Sequence, residues 1–348
     1  MALRLFVRTD KQQHQSGPPA VLSWPGFTIV RGAGTVLIAA KKVGLGLLTL
    51  LVSSFIIFSA IRLVPGDPVL ALTAGRRLTP GQIEALRGEY GLNEPFFTSY
   101  FHWLQGVIHL DFGESLNFKT PVNELIGARM TVSGLLIAYA AVISIVAGYG
   151  AALIAASRGG KTDKSLIILS SIATATPPFV SAVVLLSVFV VMLGWFPALG
   201  AGEGFGDRVY HLTLPAVALA LSSFGVLARL SRTSFLEQLS REHVEVATSR
   251  GVPRMTVLRK HVVRNSLGPL LTLTAMLVST LFVGTAVVET AFGIDGIGNL
   301  LVDSVGKRDM PVVQGIAFWS VFIFVVTSTL VEIAMPKIDP RLKNEVAA

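Results

Sequence analysis

The chain has 348 residues, of which 52% are hydrophobic and only 14% are charged. Soluble domains contain about 25% charged residues, so this composition excludes a soluble domain and predicts an integral membrane protein. The formal net charge of +8 comes mostly from loops and tails beside apolar runs, where basic residues orient membrane helices, so nucleic acid is not an expected partner. The absence of cysteine excludes disulfides, thiolate metal sites and cysteine nucleophiles.

The N-terminal stretch, residues 1–42, is polar and carries several basic residues. It lacks the compact apolar core and the small-residue cleavage site of a signal peptide. We therefore predict a cytoplasmic tail. Within it, Val21–Ala40 is moderately apolar and is interpreted as an element that lies on the membrane surface.

Six apolar runs are long enough to cross a membrane as helices, which takes about 20 residues each. They are Val43–Leu63, Thr131–Ala156, Leu166–Leu193, Leu212–Leu230, Leu270–Val288 and Val312–Met335. Basic residues concentrate in alternate loops, and the positive-inside rule then places both termini in the cytoplasm. The sequence predicts an all-α membrane domain over residues 43–335, with an external loop over 65–130, a cytoplasmic loop over 231–265 (the basic loop) and a cytoplasmic tail over 336–348.

The predicted external loop contains a helix-start pattern. Thr79 suits the cap position, Pro80 the first turn, and Gln82 the reciprocal position of a capping box. The loop also has three clustered aromatic residues, Tyr100, Phe101 and Trp103. They either anchor the loop at the membrane interface or fill its own small core.

The third apolar run contains a polar, helix-breaking patch formed by Thr174, Thr176, Pro177, Pro178 and Ser181. Proline frees helix carbonyl groups, which neighbouring hydroxyls, waters or helices must then satisfy. The patch is a candidate lining for a translocation path. The alternative is that its hydroxyls only repair the kink or pack against a neighbouring helix.

Glu289 lies at the predicted outer end of the fifth run. A carboxylate near hydrocarbon is costly, so it is a candidate external gate or partner-pairing residue. The alternative is that its carboxylate simply reaches external water.

Residues for catalysis or metal binding do not cluster. The six histidines are scattered over both sides of the membrane, and the serines of the third run have no intramembrane histidine or lysine as a base. Gly159–Thr162 resembles the end of a phosphate-binding P-loop, but the first glycine of that motif would fall at Ala155, inside an apolar run. No catalytic residue, metal site or cofactor is predicted, and any ATP that powers this protein must bind to another chain.

The basic loop has the strongest local pattern, with eight basic against three acidic residues between Arg229 and Arg264. Glu242–Arg250 is predicted to form a short amphipathic helix with Val244 and Ala247 on one face. Gly251 suits the left-handed position that ends a helix, and Pro253 suits the start of the next. The pattern predicts a helix-turn-helix for docking to another protein; the alternative is a solvated charged loop.

These residues also carry a family resemblance. Glu245, Val246 and Ala247, followed after three residues by Gly251, resemble the EAA loop of binding-protein-dependent ABC importer permeases. Segments that resemble the dipeptide and oligopeptide branch of that family are Leu63–Pro68, Tyr90–Pro95, Asp111–Ser115, Leu214–Ala216, His261–Asn265 and Asp339–Arg341. Two departures are Val246, where the family motif has alanine, and a proline that comes only at Pro269, later than usual.

The resemblance implies the six-helix transmembrane domain of a type I ABC importer in the bacterial inner membrane. It implies partners as well: a homologous second permease subunit, two cytoplasmic subunits that bind ATP and Mg, and an extracytoplasmic binding protein. Implied substrates are di- or oligopeptides, with nickel complexes, glutathione or oligosaccharides as alternatives. The residues it assigns to ATPase coupling are Glu245, Ala247, Gly251, Val252 and Pro253.

Two other classes remain open from the residues alone. A stand-alone secondary transporter would need no ATPase and would more often show repeated halves or buried charged residues. An intramembrane enzyme would need a catalytic pair, which the sequence does not reveal.

Overall fold

The computed structural model describes residues 33–62, 79–89 and 94–338, which are almost entirely helical. The chain divides into two units, Met1–Ala40 and Lys41–Ala348, and the packing described below concerns the second. Most of the predicted N-terminal tail lies outside the described residues. So do the Leu63–Pro68 segment and the chain from residue 339 onward.

Twelve α-helices follow one another in the described residues. They are α1 (Ala33–Arg62), α2 (Pro80–Glu89), α3 (Phe96–Ile108), α4 (Val122–Arg158), α5 (Gly160–Ala175), α6 (Pro178–Leu185), α7 (Gly204–Leu239), α8 (Glu242–Ser249), α9 (Arg254–Val257), α10 (Arg264–Ala291), α11 (Ile297–Gly306) and α12 (Met310–Ile338). Two π-helical stretches extend them: Leu186–Met192 continues α6, and Leu258–Val263 joins α9 to α10.

Five described helical segments are long and apolar enough to cross a membrane, and a bent pair of helices makes a sixth if it counts as one span. The five are Ala40–Ala60, Val122–Arg158, Gly204–Leu239, Arg254–Ala291 and Met310–Ile333. The all-α membrane fold is therefore confirmed, and five of the six predicted apolar runs fall within these segments. The first helix begins at Ala33, ten residues before the predicted run, so residues 33–42 are helical rather than part of an irregular tail.

The third predicted run is not one straight helix. It consists of α5 and α6, which meet at an angle of 98°. Thr176 between them is extended, with φ −84° and ψ 115°, because the proline ring that follows disfavours the helical conformation. Pro177 cannot donate a backbone hydrogen bond, and Pro178 can then begin the next helix, where no such donor is needed.

The centre of the bundle is α7, which packs against α4, α5, α6 and α10 and is the most buried of the candidate spans. Glycines allow these close approaches. A Cβ at Gly148 on α4 would lie 3.0 Å from the Cβ of Leu227 on α7. A Cβ at Gly225 on α7 would lie 2.3 Å from Thr174 Oγ1 and 2.4 Å from the Ser170 carbonyl oxygen on α5.

The predicted capping box of α2 is confirmed. The Thr79 amide donates to Gln82 Oε1 at 3.0 Å, and the Gln82 amide donates to Thr79 Oγ1 at 3.4 Å. In α3, Tyr100 and Trp103 pack on the Phe58 ring of α1, whereas Phe101 is 62% exposed. Two of the three aromatic residues thus pack within the chain, and only Phe101 is free to meet another phase or partner.

Candidate functional sites

The basic loop forms the predicted helix-turn-helix. Helix α8 ends at Ser249, and Gly251 follows with φ +75°, in the left-handed region that favours glycine. The Gly251 amide donates to the Thr248 carbonyl at 2.9 Å, and the Val252 amide donates to the Ala247 carbonyl at 3.1 Å. These bonds close the end of α8, and Pro253 caps α9. The alternative of an irregular solvated loop is wrong.

Helix α8 has two distinct faces. Val244 and Ala247 are 5% and 8% exposed. They belong to an apolar cluster with Ala152, Ala156, Phe235, Val257, Leu258, Val262 and Leu270. This face fastens α8 to α4, α7 and the start of α10.

The other face of the basic loop is open. Glu245, Gly251 and Pro253 are exposed, and Val252 is half-buried. No atom lies within 4 Å of a Cβ built at Gly251. The residues assigned to coupling therefore do not share one surface: Ala247 faces its own chain, whereas Glu245, Gly251 and Pro253 are accessible to a partner.

The polar patch of the third run lies at the bend between α5 and α6. The Thr174 and Thr176 hydroxyls each donate to the carbonyl four residues earlier, at 2.8 Å. This arrangement fits the kink-repair alternative for both threonines. Ser181 is different, because its buried hydroxyl has no hydrogen-bond partner among the described residues. Pro177 is exposed and Pro178 half-buried, so the patch is only partly covered by this chain.

Glu289 is completely buried, so the alternative that it reaches water is wrong. Its Oε1 accepts a hydrogen bond from the Ser133 hydroxyl of α4 at 2.6 Å, and its Oε2 accepts one from the Asn299 amide at 3.0 Å. Ser133 Oγ in turn accepts from the Ile297 amide at 2.8 Å. The carboxylate thus satisfies free amides at the start of α11, a position where the helix dipole favours negative charge.

Two glycines make room for this carboxylate. A Cβ at Gly296 would lie 2.4 Å from the Glu289 carboxyl carbon, and a Cβ at Gly298 would lie 2.4 Å from the Ala286 Cα. The backbone of α11 therefore lies directly against α10. Glu289 joins α4, α10 and α11 at the end of the bundle opposite the basic loop.

An ion pair that the sequence analysis missed joins α5 to α7. Arg232 donates to Asp163 through Nε and Nη2. The two side chains are 21% and 20% exposed, so the pair is mostly shielded from solvent. The available signal was a charged residue just beyond each end of an apolar run, and it was interpreted only as loop charge.

A second missed cluster surrounds Asp309, which is completely buried. Its carboxylate accepts hydrogen bonds from the Ser115 hydroxyl, the Leu116 amide and the Asn117 amide. It therefore fixes the turn before α4 to the start of α12. Asp111–Ser115 was noticed only as part of the family resemblance, without a partner.

Sequence comparisons agree with this architecture. Residues 144–344 match the family described as binding-protein-dependent transport system inner membrane component, and residues 36–126 match its counterpart for the N-terminal part of such membrane components. The chain belongs to this family. It is therefore a multi-pass transport component of the inner membrane, which confirms the predicted family and location.

Full-length relatives share about one residue in three with the chain. A peptide transport system permease protein of Brucella abortus (strain 2308) is 34% identical over 312 residues, which cover 88% of this chain and 98% of the relative. The oligopeptide transport system permease protein AppB of Bacillus subtilis is 33% identical, with 85% and 95% covered. The glutathione transport system permease protein GsiC of Escherichia coli (strain K12) is 32% identical, with 86% and 96% covered.

Membership of this family also locates the sites. The larger matched region contains the bend, the basic loop and Glu289, and the smaller one contains α1 to α3. All three candidate sites thus belong to the transport domain.

Proposed function

We propose that this chain is one of two homologous permease subunits of an ATP-driven importer for di- or oligopeptides. The observation that carries the proposal is the two-faced α8, with Val244 and Ala247 packed on the membrane helices and Glu245 exposed. In this proposal both termini and the basic loop are cytoplasmic, which follows from the charge of the loops. An extracytoplasmic binding protein delivers the peptide to the opposite side.

ATP and Mg bind to two separate cytoplasmic subunits in this proposal, and the chain itself binds no cofactor. The exposed face of α8, with Glu245, Gly251 and Pro253, seats in a cleft of one ATPase. Closure of the ATPases moves α8, and its buried face transmits the movement to α7 and α10. ATP changes the conformation because the two states of the complex differ in affinity for it.

The bend between α5 and α6 is our candidate for the translocation path. The unpaired Ser181 hydroxyl and the partly covered Pro177 support this role, since polar backbone at membrane depth is stable only where it meets protein or water. Glu289 is our candidate for the external gate. Its bonds to Ser133 and α11 hold three helices together and would have to break or move together when that end opens.

Glutathione is a second candidate substrate. The relative named for glutathione transport is 32% identical, nearly as similar as those named for peptide transport. Uptake of labelled dialanine and of labelled glutathione by the reconstituted complex distinguishes the two. Uptake of neither, in a complex that hydrolyses ATP, would contradict both assignments.

Copurification tests the assembly. When the tagged chain is purified from its native host in mild detergent, we expect two ATPase subunits and a second permease subunit to accompany it. Recovery of the chain alone, under conditions that preserve other membrane complexes, would contradict the proposal and favour a stand-alone carrier.

The Glu245→Ala substitution is expected to weaken retention of the ATPases about tenfold, which corresponds to roughly 1.4 kcal/mol of binding free energy. The reason is that Glu245 is exposed on α8 and makes no packing contact that its own fold requires. ATPase retention is measured by titration of the purified ATPase onto the immobilised permease pair. Glu124→Ala, an exposed glutamate in the first turn of α4, is the control and should leave retention unchanged.

Two substitutions at Gly251 separate turn strain from partner contact. Both Gly251→Ala and Gly251→Trp place a side chain at φ +75°, which costs about 1–2 kcal/mol. Because the space around Gly251 is open within the chain, only a bound partner can make tryptophan worse than alanine. We expect Gly251→Trp to lower ATPase retention clearly more than Gly251→Ala. Equal retention by the two variants would show that no partner surface covers Gly251.

A further inference from the structure

The turn between α4 and α5 is a meeting point of bonds from both sides of α8. Helix α4 ends at Arg158 and α5 begins at Gly160. Gly159 and Gly160 have φ +65° and +57°, and a Cβ on either would meet no atom within 4 Å. The reversal is therefore tight without being packed into place, and side-chain bonds must determine what the turn follows.

The first bond comes from the helix that precedes α8. Arg232 lies near the end of α7 and holds Asp163, in the first turn of α5, with two guanidinium nitrogens. A bidentate guanidinium–carboxylate pair restrains direction as well as distance, because both groups are planar.

The second bond comes from the helix that follows α8. Arg254, the first residue of α9, donates from Nη2 to the Ser157 carbonyl in the last turn of α4. Arg232 and Arg254 thus bracket α8 in the sequence and bond to the two sides of the same turn. A displacement of α8 pulls on this turn from both of its ends.

The far end of α5 cannot move independently of α7 either. Thr174 and Ser170 approach Gly225 so closely that a single methyl group would not fit. Helix α5 is thus held to α7 from Asp163 to Thr174, and its next residues are the bend at Thr176 and Pro177. Movement of α5 as a unit is therefore delivered to the bend.

We propose that Asp163, Arg232 and Arg254 are positioning residues that carry the movement of α8 through α5 to the bend between α5 and α6. The proposal rests on the function proposed above and adds a route for it. Loss of any of the three bonds leaves the exposed face of α8 intact, so the ATPases still bind. What is lost is the response of the bend to ATP.

A fluorophore at the bend measures this response. The chain has no natural cysteine, so bimane attached to Phe179→Cys labels a single exposed site on α6, in a complex whose partner subunits carry no reactive cysteine. The measurement is the change in bimane emission when a non-hydrolysable ATP analogue is added. ATPase retention is measured on the same samples.

We expect the emission change to be about fivefold smaller in Asp163→Arg and in Arg232→Asp, the size of a typical interaction energy between paired charges. The double variant, which exchanges the two charges, should recover most of the change. Arg254→Ala should reduce it in the same direction. Arg232→Lys, which retains the charge without the fork, should give an intermediate value and serves if a charge reversal prevents folding.

The exposed pair of Asp303 and Lys307 on α11 provides the control. Its side chains are 42% and 48% exposed, and exchanging their charges should leave the emission change unaltered. A full-sized change in the single variants, or no change in the parent complex, would overturn the proposed route. Absence of ATPases from the parent complex would instead contradict the proposed function.

Discussion

Replacing Gly225 with alanine is expected to lower the free energy of unfolding by about 3 kcal/mol, because overfilling a packed interior displaces the surrounding backbone. The added methyl group would lie 2.3 Å from Thr174 Oγ1 and 2.4 Å from the Ser170 carbonyl oxygen, so α5 and α7 must separate. The measurement is the thermal midpoint of the complex in mild detergent, together with its yield as a monodisperse species.

Gly44→Ala is the matched control, since Gly44 also lies within a membrane helix but a Cβ there would meet no atom within 4 Å. We expect its midpoint to be unchanged or slightly higher, as alanine favours helix over glycine by about 1 kcal/mol. Equal midpoints for the two variants would mean that α5 and α7 do not pack as closely as described.

Replacing Glu289 with alanine is expected to cost about 4 kcal/mol. The substitution leaves the Ser133 hydroxyl and the Asn299 amide without an acceptor, at about 1–3 kcal/mol for each buried donor. It also opens a cavity against Gly296. Hydrogen exchange of the α11 amides should accelerate, because that helix loses its attachment to α10. Thermal midpoints measured in parallel give the overall loss.

Glu289→Gln should fall between alanine and the parent, since its single amide oxygen can replace one of the two carboxylate acceptors. Glu124→Ala removes an exposed glutamate at the start of α4 and should change neither measurement. Unaltered exchange of α11 in Glu289→Ala would be evidence against the attachment described for this residue.

Features determined by adjacent residues were predicted well. The capping box of α2 needs only Thr79 and Gln82, which are three positions apart. The end of α8 needs a glycine that tolerates positive φ, and Gly251 supplies it at +75°. Such patterns depend on backbone geometry over a single turn, so the residues that form them are visible together in the sequence.

The bend of the third run was predicted only as a helix-breaking patch. Two prolines indicate a break, but they do not set its angle, which depends on what the two halves pack against. Here α5 lies on Gly225 and α6 packs against α7 and α10, which gives 98° between them. An apolar run of 28 residues therefore did not imply a single straight span.

The sequence by itself determined that this protein is an all-α membrane component, where its apolar runs lie and which loop is built to dock, because hydropathy and turn chemistry act over short distances. Only the tertiary structure decided which polar groups meet. Glu289 finds Ser133 across 156 positions, and Arg232 finds Asp163 across 69. A buried or shielded charge is stable only beside its partner, and that partner is brought close by helix packing, which no local pattern encodes.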